Sequence, residues 1–227
     1  MRIRTIASFF LLSIFAAEYS FAQYSGPSPY LSFADSPLAG TTFADYFYLE
    51  DFEDGLNSPG LAANAGFVND PGVQIDSVDA DDGLIDGSGN NGHSYYSDDS
   101  HVLRFTFDSA ALGGLPTHAG LAWTDVGLVT GENFGFSPVI FEAFDAGGTS
   151  LGAHGPFILG DGFITGETAE DRVFAIVHAG GISAIEARMP ESTDWEVDHV
   201  QYGRVPEPSA FALLAMLALL IPTRYRA

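Results

Sequence analysis

Through the middle of the chain, short apolar or alternating runs are separated by clusters of glycine, proline, asparagine and aspartate, with no long helical period. Runs over 46–52, 101–107, 120–126, 139–145, 172–178, 181–187 and 195–202 predict strands. Within 101–107, Leu103, Phe105 and Phe107 fall on one face and Val102, Arg104 and Thr106 on the other, the period of two that a single buried face imposes. Within 139–145, Ile140 and Phe144 flank an outward Glu142. Asp145-Ala146-Gly147-Gly148 and Ala179-Gly180-Gly181 can supply positive φ, and both predict hairpin connections. The 19 phenylalanines read as filling between sheets. Strands of this length with such turns predict an all-β fold, a jelly-roll-like antiparallel β-sandwich.

Both ends break this pattern. Arg2 and Arg4, the apolar run 6–17 and the closing Ser20-Phe21-Ala22 have the layout of a secretory signal helix, with small residues where a signal peptidase cuts, after Ala22. At the other end come Val205-Pro206-Glu207-Pro208-Ser209, the uncharged run 210–221, and Pro222-Thr223-Arg224-Tyr225-Arg226-Ala227. Leucine and alanine make 210–221 a helix that partitions into a bilayer, with Arg224 and Arg226 left on the cytoplasmic side. The run falls short of the roughly 20 residues of an ordinary spanning helix, so it is expected to hold weakly or with help. Pro206 and Pro208 leave Glu207 on an extended, protease-accessible segment. The expected organisation is a signal peptide over 1–22, one ectodomain over 23–204 with its core at about 44–204, and a tail over 205–227 with a short transmembrane helix at 210–221.

That tail, in the order Pro206-Glu207-Pro208, apolar helix, Arg224 and Arg226, resembles the PEP-CTERM sorting signal. The resemblance implies processing by an exosortase, a membrane-embedded cysteine transpeptidase, after export by way of the signal peptidase. The segments 48–55, 76–83, 112–120 and 196–203 are similar to an ectodomain that recurs in exported bacterial proteins with this tail, and more remotely to galactose-binding-like and carbohydrate-binding jelly rolls. These likenesses imply a location at the cell surface or in the extracellular matrix and carry no enzymatic assignment. By analogy with related sandwiches that hold an ion where the first and last strands meet, they also imply a metal role for Glu53 and Asp198.

Charge narrows the partners. The whole chain carries a formal net charge of −22 and no lysine, and all but two of its 30 acidic residues lie within 23–204, facing only Arg104, Arg172, Arg188 and Arg204. Such a field repels phosphate backbones, so nucleic acid is excluded as a partner and divalent cations are the natural counter-charge. Cysteine is absent, which removes disulfides, thiolate metal sites and cysteine nucleophiles.

The stretch Asp76, Asp79, Asp81, Asp82 and Asp86 crowds a glycine-rich loop whose oxygen donors suit calcium, the one cofactor the sequence suggests, although Val78 and Ala80 depart from the EF-hand spacing. The competing reading is a solvated acidic loop. The histidines at 93, 101, 118, 154, 178 and 199 form no HExxH motif and read as capping or surface residues. Ser88 lacks the glycine pattern of a nucleophile elbow, and Glu142 and Glu186 are the first carboxylates to examine for glycoside cleavage. Trp123, Trp195, Tyr95 and Tyr96 are the candidates for stacking on sugar, with core packing the competing role of Trp123 and with Tyr95 and Tyr96 expected in a polar loop beside Asn90, Asn91 and His93. The expected function is a surface-sorted, non-enzymatic protein that binds or scaffolds extracellular polysaccharide. A secreted carbohydrate-active hydrolase and a calcium-dependent adhesin or coat protein are the alternatives.

Overall fold

Alternation of apolar and polar residues over five to ten positions produces extended chain that must bury one face, and here that face is buried between two antiparallel sheets. The computed structural model describes residues 21–69, 77–79, 92–129, 135–160 and 171–206. The strands are β1 (Gln23–Pro29), β2 (Tyr46–Glu50), β3 (Leu61–Ala63), β4 (Phe67–Val68), β5 (Tyr95–Ser97), β6 (Val102–Phe107) and β7 (His118–Val126). They continue as β8 (Leu128–Val129), β9 (Gly135–Phe136), β10 (Val139–Asp145), β11 (Ser150–Phe157), β12 (Arg172–Val177), β13 (Ile182–Arg188) and β14 (Trp195–Arg204).

The larger sheet runs β1-β12-β7-β14-β5-β4, with β2 also paired to β14, and the smaller runs β11-β10-β13-β6-β3. Strands β8 and β9 form a separate ribbon. All seven expected strands are present. Sequence alternation did not mark β1 and β11, which contain glycine and proline and lie at the sheet edges, where a missing backbone donor is tolerated. Through β1, which pairs with β12, the described sandwich also includes residues that precede 44. The turn at 145–148 is a hairpin as expected: the Asp145 carboxylate accepts from Gly147 N and Thr149 N, both at 2.8 Å, and Gly148 has φ of 77°. The turn at 179–181 is not a hairpin, because it joins β12 in the larger sheet to β13 in the smaller and passes the chain between layers.

Between the sheets lies an aromatic core. Phe141 from the smaller sheet stacks on Phe174 from the larger at 5.7 Å, Phe107 meets Tyr202 at 5.0 Å, and Phe105 meets Tyr95 at 5.5 Å. Leu103, Phe105 and Phe107 point inward as their spacing requires, and Glu142 lies on the outer face of β10. A second, smaller apolar cluster of Tyr30, Val78, Ala122 and Val173 lies on the outer face of the larger sheet, beneath the segment that follows β1. Among the described residues no helix is long and apolar enough to cross a membrane; the expected helices within 1–20 and 210–221 lie outside those residues.

Replacing Phe141 by alanine removes a wholly buried ring between the sheets and is expected to cost about 3–5 kcal/mol in denaturant unfolding. The same change at Phe67, which is 53% exposed, should stay within about 0.5 kcal/mol. Equal losses at the two positions would be incompatible with this core.

Candidate functional site

Strand β14 is interrupted where it matters chemically. Opposite β7, Asp198 pairs with Ala122 but Gln201 pairs with Gly120, so three steps on β14 match two on β7. The extra residue makes a β-bulge at which His199 takes φ of 45°, a left-handed conformation that non-glycine residues rarely adopt. Val197 and Val200 consequently both face the core, while Asp198, His199 and Gln201 all lie on the outer face of the sheet. In a regular strand Asp198 and His199 would point to opposite sides.

The bulge is roofed by the chain following β1 and by residues 77–79. Asp198 Oδ1 accepts from His199 N at 2.6 Å, and its Oδ2 accepts from Val78 N at 3.0 Å and from the Ser77 hydroxyl at 3.2 Å. His199 Nδ1 lies 2.9 Å from the Tyr30 hydroxyl, and Tyr30 receives Gln201 Nε2 at 2.9 Å. Ser36 donates to Gln201 Oε1 at 2.5 Å while accepting from Leu38 N at 3.0 Å. His199 Nε2 lies 3.1 Å from Asp79 Oδ2. Tyr30, Asp198 and Gln201 are fully buried, whereas Asp79 sits at the rim with its side chain 39% exposed.

Burial sets the electrostatics. It pushes the Asp198 carboxyl up to about 7, against the opposing pull of His199; the Asp79 charge adds to the rise. For His199, burial works against protonation, but Asp79, Asp198 and Asp51 outweigh it and the imidazole rises above its ordinary value. Burial, reinforced by the Asp198, Asp79 and Asp35 charges, holds the Tyr30 phenol far above 10. A proton is thus retained in a cluster of two carboxylates, an imidazole and a phenol.

The structure distributes the other expected site residues widely. Of the acidic loop only Asp79 is described; Asp76, Asp81, Asp82 and Asp86 lie outside the described residues, as do Glu207, Pro208, Arg224 and Arg226. Ala22 packs partly buried against the core next to Gln23, and Pro206 follows the end of β14. Glu53 is not part of the three-residue group formed by Asp79, Asp198 and His199, and its Oε1 accepts from His93 N at 2.6 Å. Glu50, Asp51 and Asp54 do converge, but the Glu50 carboxylate is taken up by the backbone N–H groups of Phe52, Asn57 and Ser58, which makes it the clamp of its own loop.

Trp123 is fully buried with Nε1 donating to Asp125 O at 2.7 Å, and it offers no face to a sugar. Tyr95 and Tyr96 lie on a strand, β5, rather than in a loop, so they point oppositely: Tyr95 packs into the core on Phe52 and Phe105. Tyr96 faces outward, with Phe67 edge-on to it at 5.6 Å. On the outer face of the smaller sheet, Glu142 and Glu186 sit directly opposite each other, but each holds an arginine, Arg188 and Arg104 respectively. The Arg104 guanidinium also lies 3.9 Å from the centre of the Phe144 ring. These two glutamates are a charge ladder rather than a free acid and base.

His199 is the member of this buried cluster that the sequence reading passed over. His93, His101 and His154 each bond a backbone carbonyl, as capping residues do. His199 instead meets carboxylates, and the Asp198-His199 dipeptide carries no sequence sign that a bulge will turn both side chains to one side. Comparison with known protein families, with characterised proteins and with solved structures finds no match for this chain.

Because the folded-state pKa of Asp198, about 7, exceeds its ordinary 3.8, the folded form binds the proton more tightly. That contribution is complete below about pH 4 and is lost as pH rises towards 7; the upward shift of His199 acts in the same sense. In chelator-containing buffer, the stability difference between wild type and Asp198→Asn is therefore expected to move against the wild type from pH 5 to pH 8. A pH-independent difference in denaturant midpoints would refute the buried proton.

Proposed function

We propose that this chain is an exported bacterial surface protein, sorted through its C-terminal tail, that binds extracellular polysaccharide without turning it over. The observation that carries the binding reading is the outward aromatic pair at the β4 and β5 edge of the larger sheet. Among the described strand residues Phe67 is the most exposed large apolar side chain, at 53%, and Tyr96 lies beside it with its hydroxyl donating to Asp194 Oδ1 at 2.8 Å. Asp98 and Glu196 are near enough to reinforce the rise that burial and Asp194 impose on the Tyr96 phenol. Sugar rings have apolar C–H faces and hydroxyl edges, so outward aromatic rings rimmed by carboxylate acceptors match both.

The sorting reading is supported by the fit of the fold to the expected processing points. Strand β1 starts at Gln23, directly after the expected cut at Ala22, and β14 ends at Arg204, directly before the Pro206-Glu207-Pro208 segment. Both ends of the sandwich thus meet segments that can be removed without breaking a strand. The finer reading of the sandwich as a jelly roll is supported by the way successive long strands, β12, β13 and β14, alternate between the two sheets.

The Phe67→Ala and Tyr96→Ala double variant is expected to lose retention on immobilised neutral polysaccharides by about tenfold or more while melting as the wild type does. Retention equal to wild type would move the binding face elsewhere, and no retention of the wild type on any glycan would end the reading. Separately, replacing Pro206, Glu207 and Pro208 by alanine should block C-terminal processing, seen as a heavier product by intact-mass spectrometry; an unchanged mature mass would remove the sorting proposal.

A further inference from the structure

The imidazole of His199 is held on one side only. Its side chain is 5% exposed, and its Nε2, although 3.1 Å from Asp79 Oδ2, completes no hydrogen bond of acceptable geometry. One carboxylate oxygen each from Asp79 and Asp198 and one ring nitrogen of His199 lie within 4.8 Å of one another. A buried imidazole nitrogen that faces one carboxylate without completing a hydrogen bond, with a second carboxylate in the same cluster, is the arrangement a cation would complete. We propose that Asp79, Asp198 and His199 bind a divalent transition-metal ion of the zinc class, with the remaining coordination position open to water at the exposed rim beside Asp79.

The donor set decides the class of ion. Calcium takes six to eight ligands, all oxygen, whereas imidazole together with carboxylates suits zinc and its first-row neighbours. Donors bound at about 2.0–2.2 Å in a tetrahedral site stand about 3.3–3.6 Å apart. The 3.1 Å between Nε2 and Asp79 Oδ2 comes to that spacing with a small outward movement of the half-exposed Asp79 side chain. Asp198 has the complementary property of being fixed: three hydrogen bonds hold its carboxylate, yet among the described residues Oδ1 accepts only from His199 N, which leaves it a lone pair.

The second shell is also in place. A metal-bound histidine needs its other ring nitrogen engaged, and Nδ1 has the Tyr30 hydroxyl at 2.9 Å. The chain from Ser36 through Gln201 and Tyr30 to His199 can run in two senses. In one, Ser36 donates to Gln201 Oε1, Gln201 Nε2 donates to Tyr30, Tyr30 donates to Nδ1, and the ring proton sits on Nε2 against Asp79. Turning the Gln201 amide over exchanges its oxygen and nitrogen and reverses each bond. Nδ1–H then donates to Tyr30, Tyr30 to Gln201 Oε1 and Gln201 Nε2 to Ser36, so that Nε2 presents a lone pair. The neutral ring changes tautomer without net loss of a proton, and metal binding selects the second sense. This inference does not rest on polysaccharide binding, which is argued from Phe67 and Tyr96 on β4 and β5.

The test is titration of the full-length chain, stripped with chelator and then freed of it, with zinc and with calcium separately, read by calorimetry and by melting temperature. Zinc is expected to bind at one tight site and to raise the melting temperature by several degrees at a hundredfold excess over Kd. Asp79→Asn and His199→Gln should each weaken that site at least about tenfold. Cobalt(II) should give visible absorption bands with the wild type that His199→Gln abolishes. If His199→Gln does not fold, Asp79→Asn at the rim decides alone. No zinc-dependent shift, zinc affinity undiminished in Asp79→Asn, or calcium displacing zinc from this site would each overturn the proposal.

Discussion

Strand β14 serves two interiors at once, and the rest of the molecule is arranged around that constraint. One face supplies Val197, Val200 and Tyr202 to the aromatic core, and the other carries Asp198, His199 and Gln201 into a polar interior beneath the chain that follows β1. Strict alternation could not place Val197 and Val200 on one side, nor Asp198 and His199 together on the other. The bulge reconciles the two demands by inserting one residue, with His199 held at φ of 45°. Backbone in that region costs on the order of 1–3 kcal/mol and persists only where surrounding contacts fix it. Those contacts are Tyr30 from one side and residues 77–79 from the other.

The bulge also explains why β1 and the segment behind it belong to the fold. Tyr24 reaches from β1 across to the smaller sheet, where its hydroxyl accepts from Ala143 N at 3.1 Å and its ring meets Phe141 edge-on at 5.9 Å. Six residues later Tyr30 closes over the outer face of the larger sheet. One short stretch thus ties both sheets together and roofs the polar cluster. In a chain with no cysteine, such packing does what a disulfide does in many exported domains.

The few arginines are placed with the same economy. Arg104 and Arg188 separate the facing glutamates on the smaller sheet, and Arg204 lies 3.4 Å from Asp45 while donating to Gly113 O at 3.1 Å. The remaining acidic surface therefore has little positive charge of its own to meet it. An acidic exterior of this kind favours neutral glycans and cations over anionic polymers.

Much of the architecture was legible in the chain because its cause is local. A buried face forces a period of two, so Leu103, Phe105 and Phe107 announced β6, and Asp145 with its two following glycines announced the β10 to β11 hairpin. Edge strands such as β1 and β11 were hidden because their backbone pairs on one side only and admits glycine and proline. The turn at 179–181 had the chemistry of a hairpin but led into the other sheet, since turn residues set a local reversal and not the partner strand. Tyr95 and Tyr96 were marked as aromatic, but pairing with β14 sent one inward and the other outward. The sequence by itself determined the class of fold, its strand pattern and its charge, all of which follow from residue type and spacing. Only the tertiary structure decided which aromatics are exposed and that Tyr30, Asp79, Asp198 and His199 meet, because long-range register and a one-residue bulge bring together groups as much as 169 positions apart.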